Sequence, residues 1–266
     1  MRFQRAAWVA LSLSLTAAPA FPSRADSIAE VYDCAVRNLA PSSHRTGKFI
    51  TRPSANAADR TIEWEYWALQ PGEGLRKVVI VRKDAASGET AAYLFQDGDA
   101  IGEAWEYKKG QEKAERVRMT GEQARLFGTN FSIEDFARTA RVIFPGQLRQ
   151  LPESTIDGRA VYVVETHPAP SSKSEYERLV TSIDKERCLV LRREGFDDQF
   201  DGGKRVRKIY AVQEVADLGK YHIPIRAQLD DVKDGSRTVL MGDKVDLPTD
   251  TDPKDFTPEA LPRVAK

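Results

Sequence analysis

The sequence is poor in the residues that catalysis, metal binding and cross-linking draw on. It has two cysteines, Cys34 and Cys188, and three histidines, His44, His167 and His222, scattered far apart along the chain. No H-E-x-x-H, C-x-x-C, G-x-S-x-G or phosphate-cradling glycine loop occurs, so zinc hydrolases, serine hydrolases and nucleotide-binding enzymes lack their recognisable parts. The acidic doublets Glu134/Asp135 and Asp230/Asp231 read as a helix start and a solvated turn, and spacing alone identifies no glycosidase pair. We expect no metal, no cofactor and no enzymatic activity. Charge of one sign is also missing: 40 basic residues face 40 acidic ones. A well-mixed surface without a basic face excludes a nucleic-acid partner. With 41% hydrophobic and 30% charged residues, the composition is that of a globular chain rather than a disordered one.

Long apolar runs are absent too. The one candidate, residues 6–18, is shorter than the roughly 20 residues that span a bilayer. Arg2 and Arg5 precede it, and Pro19, Pro22 and the small residues Ala18, Ala20, Ser23 and Ala25 follow. A positive start, a short apolar centre and a small-x-small site make a secretory signal peptide, with cleavage preferred after Ala25 over Ala20. The prolines argue against the alternative, an uncleaved anchor. Residues 26–266 then form one domain without a transmembrane segment. Losing Arg2, Arg5 and Arg24 leaves it with three more acidic than basic residues.

Ser27-Ile28-Ala29-Glu30 has the spacing of a capping box, and Ile28, Val31, Ala35 and Leu39 recur at helical spacing before Pro41. This predicts a helix over 27–39. Period-two segments follow at 47–51, 61–69, 77–82, 91–96, 104–107 and 114–119, parted by Pro53/Ser54, Pro71/Gly72, Ser87/Gly88 and the turn Gln96-Asp97-Gly98-Asp99. Residues 121–150 break the rhythm with a short capped helix at Ser132-Ile133-Glu134-Asp135-Phe136. Beyond Pro152, strands resume after the Asp157-Gly158 turn at 160–166, 176–184, 188–194, 206–215, 223–229 and 238–245, with turns at 201–204 and 234–236. About ten strands with short connections describe a wide antiparallel sheet that must curl or close, with a helix whose apolar stripe suits one face.

In an exporting context two cysteines pair or remain buried thiols; pairing would tie the helix at Cys34 to the strand at Cys188. The aromatics are more telling. Trp64, Tyr66 and Trp67 share a strand, and alternation sends Trp67 to the face opposite Trp64 and Tyr66. Either one face is core and the other is covered, or the concave face is an apolar site for a ligand. On the second reading the lining is Trp64, Tyr66, Val79, Val81, Leu94 and Trp105, with Phe127 and Phe131 near the mouth, although Trp67/Leu69 compete as the inward set.

Several stretches between residues 89 and 262 are similar to the LolA-like family, the periplasmic outer-membrane lipoprotein-sorting proteins. They are Ala104-Trp105-Glu106-Tyr107 with Arg116-Val117, Gly128-Thr129-Asn130-Phe131-Ser132-Ile133-Glu134-Asp135, Ile156-Asp157-Gly158-Arg159 leading to Val161-Tyr162-Val163-Val164-Glu165, and Tyr176 with Ile183-Asp184. Ile223-Pro224, Thr238 and Phe256-Thr257-Pro258-Glu259-Ala260-Leu261 complete the order. The chain departs from the family at Cys188-Leu189, where a proline is common, and in a longer turn at 196–204. The resemblance implies an α+β fold: a strongly curved antiparallel sheet, an incomplete β-barrel, with an N-terminal helix and short helices covering the open side. It implies a periplasmic carrier or chaperone holding acyl chains of a lipid or acylated lipoprotein for transport to the outer membrane. Its partners would be an inner-membrane transporter and an outer-membrane acceptor. A lipid-sensing regulator of the envelope on the same scaffold is the alternative, and a hydrolase of envelope polymers the reading the missing motifs weaken most.

Overall fold

A computed structural model describes residues 28–70, 76–83, 89–96, 102–118, 125–140 and 146–266. The expected signal peptide, Ser27 of the capping box, and most of the turn at 96–99 lie outside the described residues.

Helix α1 (Ile28–Arg37) carries Glu30 in its first turn and Arg37 in its last, each opposing the partial charge of its end. Its buried side is Val31, Cys34 and Ala35, while Val36 points outward and is half exposed. Then come β1 (Ser42–Arg52), β2 (Arg60–Leu69), β3 (Lys77–Lys83), β4 (Thr90–Gln96), β5 (Glu103–Lys108) and the short β6 (Glu115–Val117). After α2 (Ile133–Ala140) follow β7 (Gly146–Ile156), β8 (Arg159–Pro168), β9 (Arg178–Asp184), β10 (Val190–Phe196), β11 (Lys208–Leu218), β12 (Tyr221–Asp231) and β13 (Ser236–Asp246), and α3 (Leu261–Val264) lies in the tail.

All thirteen strands form one sheet in the order β6-β5-β4-β3-β2-β1-β13-β12-β11-β10-β9-β8-β7. Every sequential pair joined by a hairpin or loop is antiparallel, and β1 pairs with β13 through the middle. The sheet is not closed into a barrel: its edges are β6 and β7. Between β6 and β7, at opposite edges, the described residues 125–140, which include α2, pack over the inner face.

Sequence periodicity places most of these strands, with two differences. Strand β7 begins at Gly146, ahead of the expected resumption beyond Pro152. Proline breaks a central strand because it cannot donate to the ladder, but β7 is an edge, and its register shifts between Leu151 and Ser154 around the proline. The 201–204 segment is a turn of 3-10 helix in the longer β10–β11 connection rather than a tight hairpin. The Asp157-Gly158 turn is as expected: both residues have positive φ, 49° and 78°, which matches the right-handed twist of the strands it joins.

Both faces of the β2–β5 half are buried. On the inner side Phe49, Trp64, Tyr66, Ile80, Tyr93 and Phe95 meet Val31 of α1 and Phe127, Phe131 and Phe136 of the crossing segment. On the outer side Val79, Val81 and Leu94, with Trp67 and Trp105, are covered by Phe256, Leu261 and Ala265 of the C-terminal tail. Gly47 of β1 sits directly opposite Trp64, and a Cβ there would come within 2.6 Å of the indole and 2.0 Å of the Met241 carbonyl oxygen. The glycine is what lets this tryptophan lie across β1.

Candidate functional site

Between α1, α2 and the inner face lies a cavity of about 90 Å³. Helix α1 and the residues after it contribute Ala35, Asn38 and Leu39; α2 contributes Phe136 and Thr139. The sheet supplies Trp64, Tyr66, Ile80, Tyr210, Ile223 and Leu240, an almost wholly apolar or aromatic floor. Alternation along each strand produces this floor: Arg45, Gly47 and Phe49 face Tyr66, Trp64 and Ile62 across β1–β2, two residues apart each time.

The α1 wall is fixed twice. A disulfide joins Cys34 to Cys188 at the head of β10, with Cα atoms 5.0 Å apart. Asn38 brackets the backbone of His222, donating to its carbonyl at 2.9 Å and accepting from its N–H at 2.7 Å.

The α2 wall is held at its N-terminus by a buried polar network. Ser132 caps the helix reciprocally with Asp135: Asp135 N–H donates to Ser132 Oγ at 2.9 Å, and Ser132 N–H donates to Asp135 Oδ2 at 3.0 Å. Lys208 of β11 donates to Asp135 at 2.7 Å, and Tyr176 donates its hydroxyl to the same carboxylate. Burial opposes ionisation of Asp135, but Lys208 and these hydrogen bonds hold its carboxyl below the usual range. Glu134 accepts from Arg138 within α2 and from the Glu175 N–H at 2.9 Å. Burial, and then repulsion from Asp135, pushes the Glu175 carboxyl up to about 7. The preceding Asn130 ties the segment to β12 by donating to the Leu229 carbonyl at 3.0 Å. The stretch Gly128–Asp135, singled out in the sequence, is thus the buckle that fastens the crossing segment to the sheet.

Of the eight residues expected to line a site, Trp64 and Tyr66 do so. Phe127 and Phe131 are on the inner side but are buried in the core, Phe127 against Tyr93 with ring centroids 5.2 Å apart and Phe131 against Phe49 at 6.0 Å. Val79, Val81, Leu94 and Trp105 are a correction, because they face outward under the tail. Directly paired residues share a face. Tyr66 pairs with Ile80, which pairs with Tyr93, whereas Trp67 pairs with Val79, which pairs with Leu94 and then Trp105. Choosing the wrong parity on β3 reversed every later strand. Sequence reasoning missed Arg45, because the expected strand began at residue 47. It also missed Arg76, just ahead of β3, although both line the cavity. The period-two spacing of Arg45, Gly47 and Phe49 was the available signal. The histidines stay apart: His44 lies 2.9 Å from Glu65 on the outer face, His167 3.2 Å from Glu165, and His222 2.7 Å from Asp217.

A family model described as an uncharacterized protein matches residues 74–263. No curated protein matches the chain. Among solved structures, an outer membrane lipoprotein-sorting protein domain from Vibrio parahaemolyticus is similar at a TM-score of 0.75 and 18% identity, covering 88% of this chain and 97% of that one. A DUF1329 family protein from Desulfovibrio piger gives 0.72 at 17% identity over 89% and 99% of the two chains. A LolA superfamily protein from Nitrosomonas europaea gives 0.65 at 18% identity over 88% and 98%. The chain belongs to the family whose model spans residues 74–263, and its fold is that of the LolA-like proteins.

Proposed function

We propose that the protein is a periplasmic carrier that binds the acyl portion of a lipid or acylated lipoprotein between the sheet and its two helices, for delivery toward the outer membrane. The observation that carries this reading is the cavity itself: where a fully packed core would be expected, an aromatic and apolar floor lies under two short helices. Binding of this kind requires no nucleophile or metal, in keeping with the missing motifs. The signal-like N-terminus supports export, and a transporter in the inner membrane and an acceptor at the outer membrane are the partners such transfer needs. At about 90 Å³ the cavity is smaller than the roughly 300–1,000 Å³ of ordinary ligand sites, so loading must widen it. Burial of eight methylenes contributes about 6 kcal/mol, enough to repack a few side chains.

The test is binding of a fluorescent acyl probe together with mass spectrometry that preserves bound lipid. Trp64→Asp should abolish probe binding with the fold intact by circular dichroism. Trp105→Asp, on the outer face, should leave the site unaffected and serves as the control for non-specific damage. A wild-type protein that takes up no probe and co-purifies with no lipid refutes the carrier reading.

A further inference from the structure

Three buried hydrogen-bond donors around the cavity have no acceptor among the described residues. Nε of Arg45, Nε of Arg76 and Nε1 of Trp64 are each sealed from solvent and have no partner among the described residues, and all three side chains line the cavity. Arg76 is only 6% exposed, and its hydrogen bond is a 3.4 Å donation from Nη1 to the Ala40 carbonyl. Arg45 lies over the Tyr66 ring, its guanidinium carbon 4.7 Å from the centroid. Burial lowers the Arg45 pKa, Tyr66 opposes this, and the nearby positive charge of Arg76 lowers it further.

Elsewhere three cations of the interior have carboxylate partners, while Arg193 donates to the Thr181 hydroxyl and the Arg138 carbonyl. Arg138 has Glu134, Lys208 has Asp135, and Arg207 has Asp197 at 2.6 Å. Around the cavity no carboxylate is among the lining side chains of the described residues. Asn38, an acceptor there, is already occupied by the His222 N–H. The buried Arg76 and the half-buried Arg45, without a counter-charge among the described residues, are costly to maintain. Each presents a fork of N–H groups matched to a carboxylate or phosphate.

We propose that the ligand is an amphiphile with an anionic head, a carboxylate or phosphate, seated between Arg45 and Arg76 with the Trp64 indole N–H beside it and its acyl chain along the apolar walls. This deepens the carrier reading and rests on it. A neutral head in that place leaves both guanidinium groups uncompensated, so the site discriminates by head charge as well as by chain.

The experiment compares hexadecanoate with hexadecan-1-ol, which has the same chain and a neutral head. Each displaces a fluorescent acyl probe with an uncharged head from the purified protein at pH 8, below the concentrations at which either self-associates. The acid should bind at least tenfold more tightly than the alcohol. Arg45→Gln and Arg76→Gln should each pull that ratio toward one by weakening the acid far more than the alcohol. Arg45→Lys, which keeps the charge, should keep most of the preference and guards against loss of fold in the glutamine variants. Hexadecyl phosphate binding above hexadecanoate would assign a phosphate head, and the reverse a carboxylate. Inorganic phosphate should displace neither lipid at millimolar concentration; if it competes as well as the acid does, the chain contributes nothing and the amphiphile assignment fails. Equal affinity for acid and alcohol overturns the head-group inference and leaves the carrier reading standing. Failure of both to bind overturns the carrier reading itself.

Discussion

The disulfide offers the sharpest test of how the helices are fixed. Replacing Cys34 and Cys188 together by serine removes a cross-link that closes a 154-residue separation. In the chain-entropy model a loop of that length restricts the unfolded ensemble by about 5 kcal/mol. For a domain of this size a loss of that order lowers the thermal midpoint by about 10 °C or more. The native state loses less than the unfolded state gains, because Val31, Cys34 and Ala35 remain packed and Asn38 still brackets His222. Helix α1 should therefore stay docked at low temperature in the variant and detach early on heating. The assay is calorimetry of the wild-type protein with and without reductant beside the double serine variant. The reduced wild type and the variant should melt together, well below the oxidised protein. Coincidence of all three midpoints within about 3 °C would refute the reasoning, since the covalent tie would then add nothing that the packing of α1 does not already supply.

Two further predictions concern the network under α2. Glu175 has a folded pKa of about 7 against 4.5 for the free side chain, so its ionisation costs folding free energy progressively as pH rises from about 4.5 and fully above 7. Denaturant titrations should therefore show Glu175→Gln gaining on the wild type from pH 5 to pH 8 by about 3 kcal/mol; a gap independent of pH would contradict this. Asp135→Asn leaves the Lys208 ammonium without its 2.7 Å partner in a buried place and should destabilise by about 3–5 kcal/mol in urea unfolding at pH 7. A loss under 1 kcal/mol would contradict this and mean that Glu175, 3.6 Å from Lys208, suffices as its partner.

The strand pattern was legible because each strand buries one side or both, which imposes period two or an apolar run on its residues. The disulfide was readable only as an alternative, since spacing along a chain carries no distance in space. Parity was the point of failure. Trp64, Tyr66 and Trp67 show that both faces of β2 are apolar, and an apolar run such as Val78 to Val81 has no polar member to mark the solvent side. What hides the outer face is the tail around Phe256 and Leu261, about 150 residues further along the chain than Trp105, and no local pattern announces such a contact. The arginines of the cavity were invisible for a related reason: a charged residue on a strand is normally read as solvent-facing, and here Arg45 and Arg76 are inside.

How the cavity widens follows from what holds each wall. A volume of about 90 Å³ equals the space of roughly three water molecules, less than half of what an eight-methylene chain occupies. The sheet is held at this place by the pairing of β1 with both β2 and β13, which shifts register only between Thr46 and Gly47. The α1 wall is tied by a covalent bond and two backbone contacts. In α2 strong bonds hold Ser132, Glu134 and Asp135 at the first turn, and Arg193 of β10 donates to the Arg138 carbonyl at 2.8 Å nearer its end. Between these anchors, Phe136 contacts the sheet through rings alone, 5.2 Å from Phe95 and 6.3 Å from Tyr66 between centroids. Contacts of that kind exchange for contacts with an acyl chain at little net cost, whereas buried ion pairs have no substitute in a lipid. The proposed loading therefore leaves α2 anchored at Asp135 and Arg138 and swings the Phe136 ring away from Tyr66, and the chain it admits meets the Trp64 and Tyr66 floor with the two arginines at its head.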